Sequence, residues 1–188
     1  MWEQIAGLFS IGLFQNTIRN ATPVLLAALG GLFTEHAGIM NIGMEGMILI
    51  GAFTSVVFSF TFMSASMGVL AAVLVGILIG LFFALFVVKL KSDEFIIGMT
   101  INTFASGLTI FLLRSVFGKV GTWTDTRIVG LEPIEIPLIK DIPVLGDILS
   151  GYSLFVYVSW ILVFAVWFFL YRTPYGFWVR AAGSVRFV

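Results

Sequence analysis

The chain contains no cysteine and only one histidine, His36. Without cysteine it can form no disulfide, no thiolate nucleophile and no cysteine metal site. One histidine cannot build a histidine metal site, and it cannot supply the histidine of a serine hydrolase because it lies in a short polar joint, Thr34–Gly38. We therefore expect no catalytic residues, no metal and no cofactor, and a protein that is not an enzyme.

Charge is also scarce. Only 11% of the 188 residues are charged and 60% are hydrophobic, with a mean hydropathy of +1.10, whereas soluble domains carry about 25% charged residues. Several apolar runs reach the roughly 20 residues that cross a bilayer core about 30 Å thick. The composition predicts an all-α, polytopic membrane protein. The net charge of zero gives no indication of nucleic-acid binding.

A nucleotide-binding motif is missing from the sequence. No G-x-x-x-x-G-K-[ST] occurs, and Gly118-Lys119 lacks the upstream glycine. If this chain moves a solute uphill by ATP hydrolysis, another chain must bind the ATP. The first residues, MWEQ, have no basic region or small-residue cleavage site, so they are interpreted as mature sequence.

About five transmembrane helices are expected, with a possible interfacial helix over residues 2–14. Thr22-Pro23 favours a helix start, because proline suits the first turn. No charged residue occurs from Gly46 to Val88, and one helix of that length would be about 65 Å long, so a break is required near Ser64–Ser66. The predicted spans are Thr22–Phe33, Met40–Met63, Met67–Val88, Phe95–Phe117 and Tyr152–Tyr171.

The bias of Lys and Arg predicts the orientation. Lys89 and Lys91, and then Arg172, Arg180 and Arg186, place two connections on the cytoplasmic side. The loop 118–151, which contains three of the five prolines, is then extracytoplasmic, with extended pieces. Residues 1–171 would form the transmembrane domain, and residues 172–188 a polar cytoplasmic tail with a Pro-Tyr-Gly turn.

Two helix faces stand out in the third and fourth spans. Small residues recur every four positions and predict a groove for close helix packing: Gly68, Ala72, Gly76, Gly80 and Ala84. A polar, uncharged face can either bond neighbouring helices or line a wet pathway for a neutral solute: Asn102, Thr103, Ser106 and Thr109.

Asn41 and Glu45 are four residues apart, so in a helix they share a face, with Gly38, Gly43 and Gly46 around them. Glycine permits irregular backbone, and broken helices at membrane depth often form solute sites. The alternative is that Glu45 is solvated at the cytoplasmic helix end, where the helix dipole favours an acid. His36 is expected to be a solvated joint residue.

Three segments, in order along the chain, carry a family resemblance: ATPVLLAALGGLFTEHAGIMNIGMEGMILIGAF, LKSDEFIIGMTINTFASGLTIFLLR and RTPYGFWVRAAG. They resemble permease subunits of ABC importers in the branched-chain amino-acid/ribose permease family. Within it they are similar to the nucleoside type that works with basic-membrane-lipoprotein binding proteins. Such permeases are about 300 residues long, so the sequence looks like an N-terminal portion, with its coupling segment truncated.

The resemblance implies a transmembrane importer subunit in the cell membrane that works with a second permease, ATP-binding subunits and an extracytoplasmic solute-binding lipoprotein. It also implies a coupling helix over Tyr175–Gly183, including Gly176, Phe177, Trp178 and Arg180, that docks on the ATPase. An interfacial anchor of Tyr and Trp is the alternative for this segment. Alternatives for the whole chain are a sugar or branched-chain amino-acid importer, or a non-transporting membrane fragment or scaffold.

Overall fold

A computed structural model describes residues 11–134 and 150–186. The chain divides into two compact units, Gly38–Gly130 and the combination of Met1–Ala37 with Leu131–Val188, and each is described by itself. In the described residues the elements are α1 (Ile11–His36), α2 (Met44–Phe62), α3 (Ala65–Ala84), α4 (Glu94–Phe117), β1 (Pro133–Ile134), β2 (Tyr152–Ser153), α5 (Leu154–Arg172) and α6 (Pro174–Arg186).

Helices α2 and α3 form an antiparallel pair in the first unit. The predicted break between them is confirmed, because Met63 takes a left-handed conformation (φ 49°) and Ser64 is extended. Helix α3 continues without interruption into one π-helical turn, Leu85–Lys89. The combined helix is 25 residues long, or about 37 Å at 1.5 Å per residue, which is sufficient to cross a bilayer.

Helix α4 has clear start and stop signals. The Asp93 carboxylate accepts hydrogen bonds from the backbone N–H groups of Phe95 and Ile96 (2.8 and 3.1 Å), as expected of an N-cap. At the other end Gly118 adopts φ +63°, and its N–H bonds the carbonyl of Arg114, as in many helix C-termini. These local signals explain why the predicted fourth span agrees with the helix to within one residue.

Helices α2 and α4 run parallel, because their first residues meet at one end and Phe60 contacts Phe117 at the other (ring centroids 5.9 Å). The buried residues Phe83, Val87 and Ile101 form the core of this unit, with half-buried apolar side chains packed around them: Ile39, Met47, Ile79 and Ile97. The parallel arrangement agrees with the predicted alternation of spans, in which the second and fourth cross the bilayer in the same direction.

The segment after α4 folds back onto the end of α2. The Ser59 hydroxyl donates to the Val129 carbonyl (2.7 Å) and accepts from the Val129 N–H (3.0 Å). Trp123 packs between Phe60 and Phe117 (4.9 and 4.3 Å). The predicted outer loop therefore has a fixed beginning; its residues 135–149 lie outside the described residues.

Arg127 strengthens this beginning of the loop. Its guanidinium lies 4.0 Å from the centroid of the Phe60 ring, a cation–π geometry. The backbone N–H and the side chain of Arg127 both donate hydrogen bonds to the Asp125 carboxylate. These bonds, the backbone one most strongly, lower the pKa of Asp125 below its ordinary value. A lowered carboxyl pKa stabilises the folded loop at neutral pH, and this contribution is lost as the pH falls through that pKa.

The second unit is built on α1 and α5, and two contacts near opposite ends show that they run parallel. The Arg19 side chain donates to the carbonyl of Gly151, just before α5 (3.1 Å), while His36 contacts Tyr171 at the far end. Tyr152 is fully buried beneath Arg19, with its ring 5.8 Å from the guanidinium. Burial raises the pKa of Tyr152, and the Arg19 charge opposes this effect.

The predicted helix start at Thr22-Pro23 is wrong. Pro23 lies inside α1, a helix of 26 residues, where it leaves the Arg19 carbonyl without its helical N–H partner. The Thr22 hydroxyl bonds back to the Ile18 carbonyl (2.8 Å) instead of capping a new helix. Part of the segment 2–14, predicted to be interfacial, lies outside the described residues; Ile11–Phe14 belong to α1.

Four helices in the described residues are long and apolar enough to cross a membrane: Met44–Phe62, Ala65–Lys89, Glu94–Phe117 and Leu154–Arg172. They correspond to the second to fifth predicted spans, so the prediction of an all-α polytopic membrane protein is confirmed. Helix α1 is not among these four, but it runs beside α5 from Arg19 to His36. The count of five spans stays a prediction.

The three glycines of the small-residue groove predicted on α3 differ in how closely they are packed. Gly68 is buried, and a Cβ there would lie 2.6 Å from the Ser55 carbonyl oxygen and 3.3 Å from the Ser59 Cβ. A Cβ at Gly76 or Gly80 would meet no atom within 4 Å. Among these glycines the close seam with α2 is therefore at Gly68, and the space beside Gly76 and Gly80 is open.

Candidate functional sites

The first candidate site is the junction at which α2 begins. Residues 37–43 are not helical, and Gly38 has φ +76°, a conformation that favours glycine. The second predicted span therefore begins at Met44, not at Met40. Asn41 precedes the helix, so the prediction that Asn41 and Glu45 share a helix face is wrong.

Asn41 serves the backbone of this junction. Its side-chain oxygen accepts the Gly43 N–H (3.1 Å), and its side-chain nitrogen lies 3.8 Å from the sulfur of Met47. Glu45 is exposed in the first turn of α2, the position where a helix dipole favours a carboxylate. This position fits the interpretation of Glu45 as a solvated helix-end residue, and its alternative role in a pathway or in gating stays a prediction.

Asn102 connects α4 to the first turn of α2. Its side-chain oxygen accepts the Gly46 N–H (2.7 Å), and its side-chain nitrogen donates to the Ile42 carbonyl (3.0 Å). Helix N-termini leave backbone N–H groups without helical partners, and in hydrocarbon such groups are costly. One amide side chain therefore satisfies a donor and an acceptor of the junction together.

The close approach of the two helices depends on glycine. A Cβ at Gly46 would lie 2.8 Å from the Ile101 carbonyl oxygen, and a Cβ at Gly98 would lie 2.9 Å from the Gly43 nitrogen. In addition, Glu94 accepts the Met40 N–H (3.1 Å). Backbone contacts, the Asn102 amide and the Glu94 carboxylate form this interface.

The other residues of the predicted polar face differ in burial. Thr109 is buried, and its hydroxyl donates to the carbonyl of Ala105 (2.8 Å). Thr103 is exposed and bonds Met99 in the same way (2.9 Å), and Ser106 is exposed. Thr109 also lines a cavity of about 340 Å³ between α2, α4 and the loop, together with Leu49, Phe53, Gly121 and Trp123. A role of these residues in a pathway stays a prediction.

Replacing Asn102 by Leu is expected to destabilise the fold. The change leaves the Gly46 N–H and the Ile42 carbonyl without this partner in a low-dielectric environment, at about 1–3 kcal/mol for each group. Thermal unfolding in detergent micelles would measure the loss. Thr103→Val is the control, since its hydroxyl bonds only its own helix. Equal unfolding temperatures for wild type and Asn102→Leu would contradict the bonding role.

The second candidate site is α6, which the sequence predicted as a polar tail with a Pro-Tyr-Gly turn. That turn is wrong: Thr173 ends α5, and Pro174 is the first residue of a helix of 13 residues. The Thr173 hydroxyl accepts the Gly176 N–H (3.2 Å) and donates to the Phe169 carbonyl (2.6 Å). Threonine at the N-cap followed by proline is a common helix start.

Gly176 seats α6 against the end of α5. It is buried, and a Cβ there would overlap the carbonyl oxygens of Phe169 and Leu170. Any side chain would therefore force the two helices apart. Gly176 and Gly183 are buried, whereas Tyr175, Phe177 and Trp178 are exposed. Helix α6 therefore has one face packed against the chain and one face that is free.

The free face is aromatic. Tyr175, Phe177 and Trp178 are 61, 62 and 63% exposed, although Tyr175 also stacks on Phe169 and meets the Trp178 ring edge-on (5.4 Å). Arg180 turns toward the chain instead: its Nε bonds the Gly176 carbonyl (3.4 Å), and its guanidinium lies 5.1 Å from the Tyr171 ring centroid. Gly183 is buried.

Four helices of the described residues, each long and apolar enough to cross a bilayer, define a multi-pass membrane protein. A family model described as "branched-chain amino acid transport system / permease component" matches residues 13–185. The chain belongs to this family of ABC transporter permeases, and it is a multi-pass protein of the cell membrane. The resemblance found in the sequence is confirmed.

Curated relatives of the chain are also named as ABC transporter permeases. The chain is 38% identical over 176 residues to the guanosine ABC transporter permease protein NupQ of Bacillus subtilis, covering 89% of this chain and 54% of the relative. It is 35% identical to the nucleoside ABC transporter permease protein NupC of Lactococcus lactis, covering 90% of this chain and 55% of the relative. A putative glucose ABC transporter permease protein of Haloferax volcanii, TsgC13, is 31% identical, over 94% of this chain and 53% of the relative.

The chain spans about half the length of these relatives. No match of comparable strength was found among solved structures. The named relatives are permease subunits of transporters, which are not themselves enzymes.

Proposed function

We propose that this chain forms the membrane-spanning part of a permease subunit of an ATP-driven nucleoside importer. The observation that carries the proposal is the exposed aromatic face of α6, in a chain whose relatives include the two nucleoside-type permeases. Such aromatic side chains are enriched at protein interfaces. The 188 residues contain no phosphate-binding loop motif, so ATP would be bound by separate subunits that dock on this face.

Within this proposal, residues 172–188 act as the coupling segment and residues 1–171 as the transmembrane domain. Phe177 and Trp178 would enter a groove of the ATP-binding subunit, because large exposed aromatic side chains are common centres of binding energy. Tyr175, Gly176 and Gly183 would shape and seat the helix. A second permease subunit and an extracytoplasmic solute-binding lipoprotein would complete the assembly.

The solute pathway is proposed to follow Asn41, Glu45 and the polar face of α4, which comprises Asn102, Thr103, Ser106 and Thr109. Its side chains are neutral apart from Glu45, which is exposed at the helix end. An uncharged polar lining suits a neutral solute rich in hydroxyl groups, because such a solute exchanges hydrogen bonds with water for hydrogen bonds with amides and hydroxyls. A nucleoside has this character.

A sugar is the second candidate, because one relative is named as a putative glucose permease. Uptake of radiolabelled guanosine, with adenosine, glucose and leucine as competitors, separates the candidates. Competition by adenosine alone supports the nucleoside proposal. Competition by glucose, with no effect of adenosine, would replace it with a sugar importer.

Trp178→Ala is expected to weaken association with the ATP-binding subunit at least tenfold, since truncating an interface tryptophan often costs more than about 2 kcal/mol. Co-purification from detergent-solubilised membranes, with quantification of the bound subunit, would measure this. Trp167→Ala is the matched control: Trp167 is an exposed tryptophan (51%) on α5, outside the proposed docking face. If both variants retain the ATP-binding subunit equally, the docking face is assigned wrongly.

A further inference from the structure

Side chains from two other helices contact the ring of Tyr171, which lies near the end of α5. The imidazole of His36, the last residue of α1, meets it edge-on, with ring centroids 6.1 Å apart and an angle of 89° between the planes. The His36 Nε2 lies 3.5 Å from the Tyr171 hydroxyl. From α6, the Arg180 guanidinium lies 5.1 Å from the centroid of the same ring. Tyr171 thus contacts both neighbouring helices.

A second aromatic contact series runs beside the first. Phe33 of α1 packs on Phe169 of α5 (5.7 Å), Phe169 stacks on Tyr175 of α6 (6.4 Å, 6° between planes), and Tyr175 meets Trp178 edge-on. Both series begin in the last turn of α1 and end in α6. The orientation of α6 is therefore set by α1 as well as by the helix that precedes it in the chain.

The cation–π contact of Arg180 and the edge-on contact of His36 both hold the Tyr171 ring in a defined orientation. A guanidinium over an aromatic ring is attracted by the ring quadrupole, and aromatic ring pairs prefer an edge-to-face or offset arrangement. Arg180 is further directed by its bond to the Gly176 carbonyl (3.4 Å). An arginine committed to contacts within the chain fixes the helix that carries it, and so it need not contact the partner to matter for coupling.

We propose that Tyr171, with His36 and Arg180, is a positioning group that transmits movement between α1 and the docking helix α6. This inference rests on the proposed docking of α6 on an ATP-binding subunit. In this arrangement a rotation or shift of the α1 end changes the contacts of Tyr171, and these in turn move Arg180 and α6. The docking face itself, Phe177 and Trp178, stays free for the partner.

Removing the ring should loosen α6 without removing its docking face. Because the chain has no cysteine, Ser184→Cys gives a unique labelling position on the exposed side of α6. A spin label at this position, in permease reconstituted into lipid nanodiscs, reports the mobility of α6 directly. We expect increased mobility in Tyr171→Leu and in Arg180→Met, and nearly unchanged mobility in Tyr171→Phe, which retains the ring.

The same variants should separate docking from coupling. Tyr171→Leu and Arg180→Met are expected to retain most of the bound ATP-binding subunit and its ATP hydrolysis, while guanosine uptake per ATP hydrolysed falls at least fivefold. Tyr171→Phe should restore this ratio to within about twofold of wild type. Arg180→Met also covers the case in which Tyr171→Leu does not fold.

Two results would overturn the inference: unchanged label mobility in both variants, or increased mobility with an unchanged ratio of uptake to hydrolysis. Failure of the wild-type permease to bind any ATP-binding subunit would instead overturn the proposed function, and coupling with it. The mobility measurement distinguishes these failures, because it needs neither the partner nor a solute.

Discussion

Gly176→Ala is expected to release α6 from the end of α5 and to remove ATP-binding-subunit association together with uptake. The added methyl would overlap the carbonyl oxygens of Phe169 and Leu170, which belong to a helix and cannot move aside independently. Overpacking of this kind costs up to about 3 kcal/mol. That energy corresponds to about a hundredfold shift between seated and displaced helix.

The measurement combines co-purification of the ATP-binding subunit with protease accessibility of the α5–α6 connection, which should rise when the helix is displaced. Gly30→Ala in α1 is the matched control, because a Cβ there would meet no atom within 4 Å. The control is expected to be neutral or slightly stabilising, since alanine favours helix. Normal association in Gly176→Ala would show that the helix does not need its close seat.

Gly46→Ala is expected to lower the stability of the other unit, Gly38–Gly130. Its methyl would lie 2.8 Å from the Ile101 carbonyl oxygen and 2.9 Å from both the Cα and the side-chain oxygen of Asn102. Helices α2 and α4 would have to separate, and the 2.7 Å bond from the Gly46 N–H to Asn102 would be lost with the contact. We expect a destabilisation of about 2–4 kcal/mol, from overpacking and the lost bond together.

Gly51→Ala in the same helix is the control, because a Cβ at Gly51 would meet no atom within 4 Å. Unfolding temperatures in a single detergent, compared for wild type and the two variants, would test the difference. The Gly46 variant should unfold well below wild type, and the Gly51 variant at or above it. Two equal temperatures would mean that the close approach of α2 and α4 contributes little to stability.

Two Thr-Pro pairs show how far local signals can be interpreted. Thr22-Pro23 was predicted to start a helix, yet it lies inside α1, whereas Thr173-Pro174 was predicted to form part of a turn, yet it starts α6. The dipeptide is the same in both places, so the neighbouring residues determine whether it starts a helix. After Thr173 a glycine at the third helical position lets the new helix abut the old one, and that contact depends on tertiary packing.

The candidate sites were predictable only in part. The resemblance indicated the coupling helix and its aromatic residues, and the structure finds a helix there with its aromatic face exposed. The contact between His36 and Tyr171 could not be predicted, because the two residues are 135 positions apart and no spacing rule connects them. The hydrogen bond between Asn102 and Gly46 could not be predicted either. The sequence shows an amide in one apolar span and a glycine in another, but not that the two residues meet.

The amino-acid sequence by itself determined the class of protein: apolar runs longer than a bilayer core, separated by charged or glycine- and proline-containing breaks, can only be accommodated as membrane-spanning helices. It also determined most helix ends, because caps such as Asp93 and Gly118 act locally. Only the tertiary structure decided which side of each helix packs. A helix that is apolar all round carries no periodic signal for its buried face, so the choice of Gly46, Gly68 and Gly98 as contact points, and of Gly76 and Gly80 as open ones, follows from the shapes of neighbouring helices.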